Sequence, residues 1–296
     1  MTRLKYTFKT DTLFKLIFVK YPELLKKLVA ALLSIRLESI GEFVITNPEI
    51  PPDSLGEKFC RLDINMTVNG QRVALEVQVE DEKNYPERVL YYWAREYSSA
   101  LPAGGNYLEL PRTIIINIVN FPLFDCAEFY SEFQALEVTR HTPLTDKMSV
   151  YFFELPKLPK LPKVVSANDE LKLWLSLFNA NTEEDLKRLE ALEVPDMEQA
   201  IEAYRQVSAT DRFKEIERQR SIARHNEASA LRHAADKATE KERQKWQGVV
   251  AKKEAALAKK DSALAEKDSA LAEKDSENVQ LRAQIEALQA RLGEDK

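Results

Sequence analysis

The chain has 296 residues, 44% of them hydrophobic, and a formal net charge of −5. That length supports one sizeable core plus an extension, or two small domains, and no apolar run reaches the roughly 18 residues that a bilayer span needs. The charge excludes steering of the whole chain to nucleic acid by its global field, and three histidines, His141, His225 and His233, leave little for a Ser/His/Asp or Cys/His catalytic set. Met1 to Thr10 hold no signal-peptide h-region, so a soluble, cytoplasmic protein is expected. Cys60 and Cys126 fit no metal-ligand spacing and are expected to be reduced core thiols.

Charge is unevenly spread. Residues 1–40 carry eight Lys and Arg against Asp11, Glu23 and Glu38, which suits either a local basic face or a solvated amphipathic helix. Thr10-Asp11-Thr12 looks like a helix start with Asp11 as a possible N-cap, followed by the helically spaced apolar run Leu13 to Phe18. Pro22 opens a second helix through Leu24, Leu25, Leu28, Val29, Leu32 and Leu33. Phe43 to Ile45 is a short strand candidate. Residues 61–68 and 72–79 alternate polar and apolar, as strands with one buried face do. Asn69-Gly70 between them is a strong signal for a two-residue hairpin turn. Residues 86–100 read as a helix, and 112–121, with Ile114-Ile115-Ile116, as a buried strand.

Leu-Pro-Lys then occurs three times over residues 155–163. Three prolines remove backbone donors and fix φ, so an extended linker is predicted, with no regular helix or strand. Residues 168–247 read as helices, including 170–178 and 183–192. In the tail, Leu257, Leu264, Leu271, Asn278, Ile285 and Leu292 recur every seven residues. The accompanying d positions are Lys260, Lys267, Lys274, Leu281 and Leu288, so the seam is weak at first and good from Asn278 onward. A parallel coiled-coil dimer through residues 257–292 is expected, with Asn278 fixing register; a lone solvated helix is the alternative.

The chemistry centres on the hairpin. With Asn69-Gly70 as the loop, Val68 faces Gln71 and, counting back, Asp63 faces Glu76, with Cβ atoms about 5 Å apart. Leu62, Ile64, Met66 and Val68 share the apolar face with Val73, Leu75, Val77 and Val79, whereas Asp63, Asn65, Glu76 and Gln78 share the other. Opposed carboxylates repel, and a divalent cation relieves that repulsion; hard oxygen ligands suit Mg²⁺ or Mn²⁺. The competing reading is a solvated polar face on an antiparallel hairpin.

Asp63 followed by Glu76-Val77-Gln78 resembles the PD-(D/E)XK nuclease motif, an Asp and an (Asp/Glu)-x-Lys on a β-hairpin. The resemblance extends to the Rpn recombination-promoting nucleases, or putative transposases. It is carried by Asp11-x-x-Phe14-Lys15-x-x-Phe18, Arg61-Leu62-Asp63-Ile64, Leu75-Glu76-Val77-Gln78, Arg88-x-x-x-Tyr92, Gly105-x-Tyr107-x-x-Leu110-Pro111, Ile116-x-Ile118, Phe153-Glu154-Leu155-Pro156-Lys157 and Glu170-Leu171-x-x-Trp174-Leu175, over roughly residues 5–245. It implies an α/β PD-(D/E)XK core (α-β-β-β-α-β, mixed sheet), then a helical region and a C-terminal coiled coil. The domain expectation is a nuclease-like domain at 1–154, a linker at 155–165, a helical region at 166–247 and a coiled-coil tail at 248–296.

The resemblance further implies an Mg²⁺-dependent DNA endonuclease, with Mn²⁺ as a substitute, acting in recombination. Asp63 and Glu76 are then the metal ligands and Asp63, Glu76 and Gln78 the catalytic set. Gln78 stands where the motif has Lys; a neutral amide supplies no cation but can orient water. The acid that such folds draw from the first helix has Asp11 and Glu23 as candidates, and Glu57 is a further possible ligand. Arg88, Tyr91, Tyr92 and Arg95 recur at helical spacing on the following helix. Arg88, Arg95 and Lys15 are the candidate DNA contacts, whereas Tyr92 suits packing against the sheet. Two readings of other classes stay open: a catalytically inactive nuclease fold that binds nucleic acid, and a partner-binding protein organised by its coiled coil.

Overall fold

Helical spacing of apolar residues sets the first two elements. In the computed structural model, which describes residues 2–46, 49–50, 60–61, 63–158 and 169–294, α1 (Asp11–Lys20) buries Leu13, Phe14, Ile17 and Phe18 on one stripe. Thr10 takes the N-cap position and Asp11 is the first helical residue, so Asp11 is not the cap. Pro22 sits in the first turn of α2 (Pro22–Leu32), where its missing N–H costs nothing. Strand β1 (Phe43–Thr46) follows, then the two-residue strands β2 (Glu49–Ile50) and β3 (Cys60–Arg61), which pair with each other.

The hairpin forms in the register that the turn dictates. β4 (Ile64–Val68) and β5 (Gln71–Gln78) pair antiparallel, with Ile64 opposite Leu75, Met66 opposite Val73 and Val68 opposite Gln71. Asn69 and Gly70 both have positive φ, 49° and 73°, as a type I′ turn requires. The Asn69 side chain also accepts from the backbone N–H groups of Gly41 and Glu42 and donates to the Ser39 carbonyl, tying the lead-in to β1 onto the turn.

Next come α3 (Tyr85–Ser99), β6 (Thr113–Val119), β7 (Tyr130–Phe133) and β8 (Met148–Glu154). The main sheet has six strands in the order β1-β4-β5-β6-β8-β7. β5, β6 and β8 run parallel, and the outer pairings are antiparallel, so the sheet is mixed as expected. β7 and β8 extend it beyond the expected core. All but Met148 of β8 is buried, so it shows no two-residue alternation.

Each face of the sheet packs on a different layer. Ile64, Met66, Val68, Val73, Leu75, Val77, Ile114, Ile116 and Ile118 join α1 and α2 in one core. On the other face, Ala74, Ile115, Val119 and Phe152 meet Tyr85 and Val89 of α3. The polar face of the hairpin is therefore covered rather than solvated, and Asn65 and Glu76 are buried. Val79, past the end of β5, is exposed instead of joining the apolar face. Leu62 and Glu57 lie outside the described residues, as does the Cys60 side chain. Cys126 is exposed and is not a core thiol.

Leu155–Lys157 forms a single tight 3₁₀ turn, so the Leu-Pro-Lys stretch does not start as a featureless extension; residues 159–165 lie outside the described residues. Then come α4 (Glu170–Asn179), α5 (Glu183–Glu190), α6 (Pro195–Ala209) and α7 (Asp211–Glu294). α4, α5 and α6 share the core of α1 and α2: Phe178 lies 5.9 Å from Phe14 and 6.3 Å from Phe18, ring centre to ring centre. The chain divides into two compact units, Met1–Gln219 and Arg220–Lys296. α4, α5 and α6 lie within the first unit, and the division falls within α7. No helix among the described residues is long and apolar enough to cross a membrane.

Candidate active site

Asp63 precedes β4 by one residue, and the hairpin register carries it opposite Glu76. The two carboxylates interlock with the backbone across the strands. Asp63 donates its N–H to Glu76 Oε2 at 3.1 Å, and Asp63 Oδ2 accepts the Val77 N–H at 2.8 Å. Both carboxyls are pushed up from the ordinary carboxylate range. For Asp63, burial is the main cause and the charge of Asp11 the next, together raising it to about 7. For Glu76, burial again leads, followed by the charge of Asp63.

Charged neighbours arrive from both layers. The charge of Asp11 bears on the Asp63 carboxyl, so of the two first-helix candidates Asp11 is the one beside the pair; Glu23 is exposed at the start of α2. Lys15, one turn further along α1, reaches Asp11 Oδ1 at 3.0 Å and Asp63 Oδ1 at 3.5 Å. From α3, Arg88 donates Nη2–H to Gln78 Oε1 at 2.8 Å and its positive charge favours the ionised form of Glu76. Beneath them, Tyr85 is fully buried and donates its hydroxyl to Asn117 Oδ1 at 3.0 Å, while Asn117 Nδ2 donates to the Tyr151 carbonyl.

A model of the PD-(D/E)XK nuclease family transposases matches residues 8–234. The chain belongs to that family. Comparison with curated proteins and with solved structures finds no match. The family's region spans α1 to the early part of α7, and so contains the mixed sheet, the carboxylate hairpin and the helices that share its core. Within this family member, Asp63, Glu76 and Gln78 stand together, with Asp11, Lys15 and Arg88 around them.

Of the candidate DNA contacts, Lys15 and Arg88 lie beside the carboxylate pair, Lys15 on Asp63 and Arg88 on Gln78, with side chains 17% and 23% exposed. Arg95 is half-buried on α3. Tyr92 packs against the smaller core, as its spacing suggested. Tyr85 and Asn117 carried no sequence signal beyond lying in a helix and an apolar strand; only pairing of β5 with β6 sets Asn117 beside Glu76. Among the described residues, no group of three or more His, Cys, Asp or Glu side chains is arranged to hold a metal ion. In donor chemistry the pair nonetheless fits a hard divalent cation: two sheltered carboxylates, oriented by backbone N–H groups, repel each other.

Proposed function

We propose that this protein is a divalent-cation-dependent DNA endonuclease that hydrolyses phosphodiester bonds and promotes recombination in transposase-like fashion. One observation carries the reading. Asp63 and Glu76 are opposed across a hairpin, interlocked by two carboxylate–backbone hydrogen bonds, and sheltered, Glu76 fully and Asp63 largely, so that water does little to disperse their repulsion. A fold retains such a pair at a cost, and perturbed carboxylates in a cluster mark functional sites.

Asp63 and Glu76 would hold Mg²⁺ or Mn²⁺, with Asp11 beside them. When bound, the cation supplies activation of water and neutralisation of charge on the scissile phosphate. The protein's own groups do the rest. The N–H groups of Asp63 and Val77 hold one oxygen of each carboxylate in place. Lys15 and Arg88 draw the pair towards the ionised form and bring positive charge to where a phosphate would sit. Gln78 completes the trio at the end of β5.

The test is incubation of supercoiled plasmid with the full chain, with Mg²⁺ and with EDTA, beside Asp63→Ala. Nicking or linearisation is expected with Mg²⁺ alone and is lost in the variant. Cleavage that survives Asp63→Ala would overturn the reading.

The tail supports self-association as a second part of the proposal. Leu257, Leu264, Leu271, Leu281 and Ile285 are all more than half exposed on α7, and apolar residues repeated every seven positions are what a second copy would cover. Residues 257–292 then form a parallel dimer.

A further inference from the structure

The motif that this hairpin resembles places a lysine where Gln78 stands. An amide with a free end could orient water, but both ends of Gln78 are engaged. Its Nε2 donates to the Glu80 carbonyl at 2.7 Å, and its Oε1 accepts from Arg88 Nη2 at 2.8 Å. Gln78 is bonded to a cation that another element supplies.

That cation is held from several sides. Arg88 lies over the ring of Tyr85, 4.9 Å from its centre, a distance at which the ring face attracts a guanidinium. Tyr85 is itself pinned by Asn117 at the floor of the site. Arg88 Nη1 pairs with Glu82. Its Nε–H is buried and has no hydrogen-bond partner among the described residues. A buried donor without an acceptor is costly, and an oxygen entering the site would relieve that cost. Lys15 is also cationic, but it pairs with Asp11 and Asp63, not with Gln78.

We infer that Arg88 is the active-site cation of this protein, delivered from α3 in place of the strand lysine and held in position by Gln78 and the ring of Tyr85. On this inference Gln78 is a positioning residue, and Arg88 meets the phosphate at the scissile bond rather than the flanking DNA. The inference rests on the nuclease reading and adds a division of labour within the site. A guanidinium stays charged at any working pH and presents several donors in one plane, which suits phosphate oxygens.

The experiment uses the full chain as wild type, Arg88→Ala, Arg88→Gln, Gln78→Lys, and the double variant Arg88→Ala/Gln78→Lys. Two quantities are measured: turnover on saturating plasmid with Mg²⁺, and affinity for a short duplex with Ca²⁺ in its place. Thermal unfolding confirms that each variant folds, and Arg88→Gln keeps a donor for Gln78 should the alanine variant not fold. We expect both Arg88 variants to lose at least about a hundredfold in turnover, within the range typical of one lost transition-state donor, with duplex affinity changed less than threefold. The double variant should recover at least tenfold over Arg88→Ala, because lysine at 78 restores a cation from the strand. In an intact Arg88 background, Gln78→Lys should lower turnover, since lysine cannot accept from the guanidinium. Weakened duplex binding with turnover at saturation intact would make Arg88 a DNA contact and overturn the inference, leaving the nuclease reading standing. An active wild type without recovery in the double variant overturns it equally. A wild type that cuts nothing with Mg²⁺ removes the nuclease reading, and the inference with it.

Discussion

Neutralising Asp63 tests the carboxylate pair without relying on catalysis. Asparagine keeps the size of the side chain and an oxygen to accept the Val77 N–H, while removing one of two opposed charges. In the folded protein Asp63 is raised from 3.8 to about 7, and each unit corresponds to about 1.36 kcal/mol between protonation states. A group raised on folding favours its protonated form, so stability from this site is greatest at low pH. It falls as pH rises from about 4 to about 7, where the unfolded carboxylate has lost its proton and the folded one has not. Glu76 acts in the same direction. At pH 8 in EDTA the cost attached to Asp63 has a ceiling of roughly 4 kcal/mol, reduced by relaxation. We expect Asp63→Asn to gain about 1–2 kcal/mol there, a rise of roughly 3–6 °C in melting temperature for a unit of this size. Mg²⁺ at ten times its dissociation constant should add about 1.4 kcal/mol to the wild type and nothing to the variant. The assay is thermal unfolding of both proteins at pH 5 and pH 8, each with EDTA and with Mg²⁺. Equal response to Mg²⁺ in the two proteins, or a wild type insensitive to pH across this window, would refute the reasoning.

Three further outcomes are expected. Residues 1–219 should fold and unfold cooperatively by circular dichroism, whereas residues 1–165 should not, because Trp174 and Phe178 of α4 pack on Phe18. Tyr85→Phe should lower stability by about 1–3 kcal/mol in urea titration, since it leaves the buried Asn117 Oδ1 without its donor. Truncation after Gln247 should reduce the mass seen by light scattering to that of one chain, and an unchanged mass would remove the coiled-coil proposal.

The hairpin was the most legible part of the chain, for a local reason. A two-residue turn fixes the register, register fixes opposition, and two-residue periodicity fixes the face, so Asp63, Glu76 and their neighbours could be counted out from Asn69-Gly70. What the alternation could not say was what lies over the polar face. Asn65 and Glu76 look like surface residues in sequence and are buried because α3 covers them, fastened by Asn65 Nδ2 to Glu96 Oε1 and by Arg72 to the Glu96 carbonyl. Asp11 and Lys15 were legible only as residues of a first helix; Lys15 and Asp63 are 48 positions apart, and no local pattern encodes that approach. β8 was not legible because Met148–Glu154 shows no two-residue alternation and lacks the isoleucine run that marks β6. The prolines at 156, 159 and 162 suggested a domain edge, although the helices beyond them complete the first core.

The turn at Asn69-Gly70 also bears on how such a chain can change length. Adding or losing one residue there would slip β4 against β5 by a single position and rotate one strand's side chains to the opposite face. Either Asp63 or Glu76 would then point among Ile64, Leu75 and Ile116, in a core that accepts no charge. Insertions at residues 79–84, after β5 ends, or at residues 120–147, which hold only the short β7, leave that parity untouched. Length variation in relatives that keep the carboxylate pair should therefore gather at those two places and be absent from the two-residue turn.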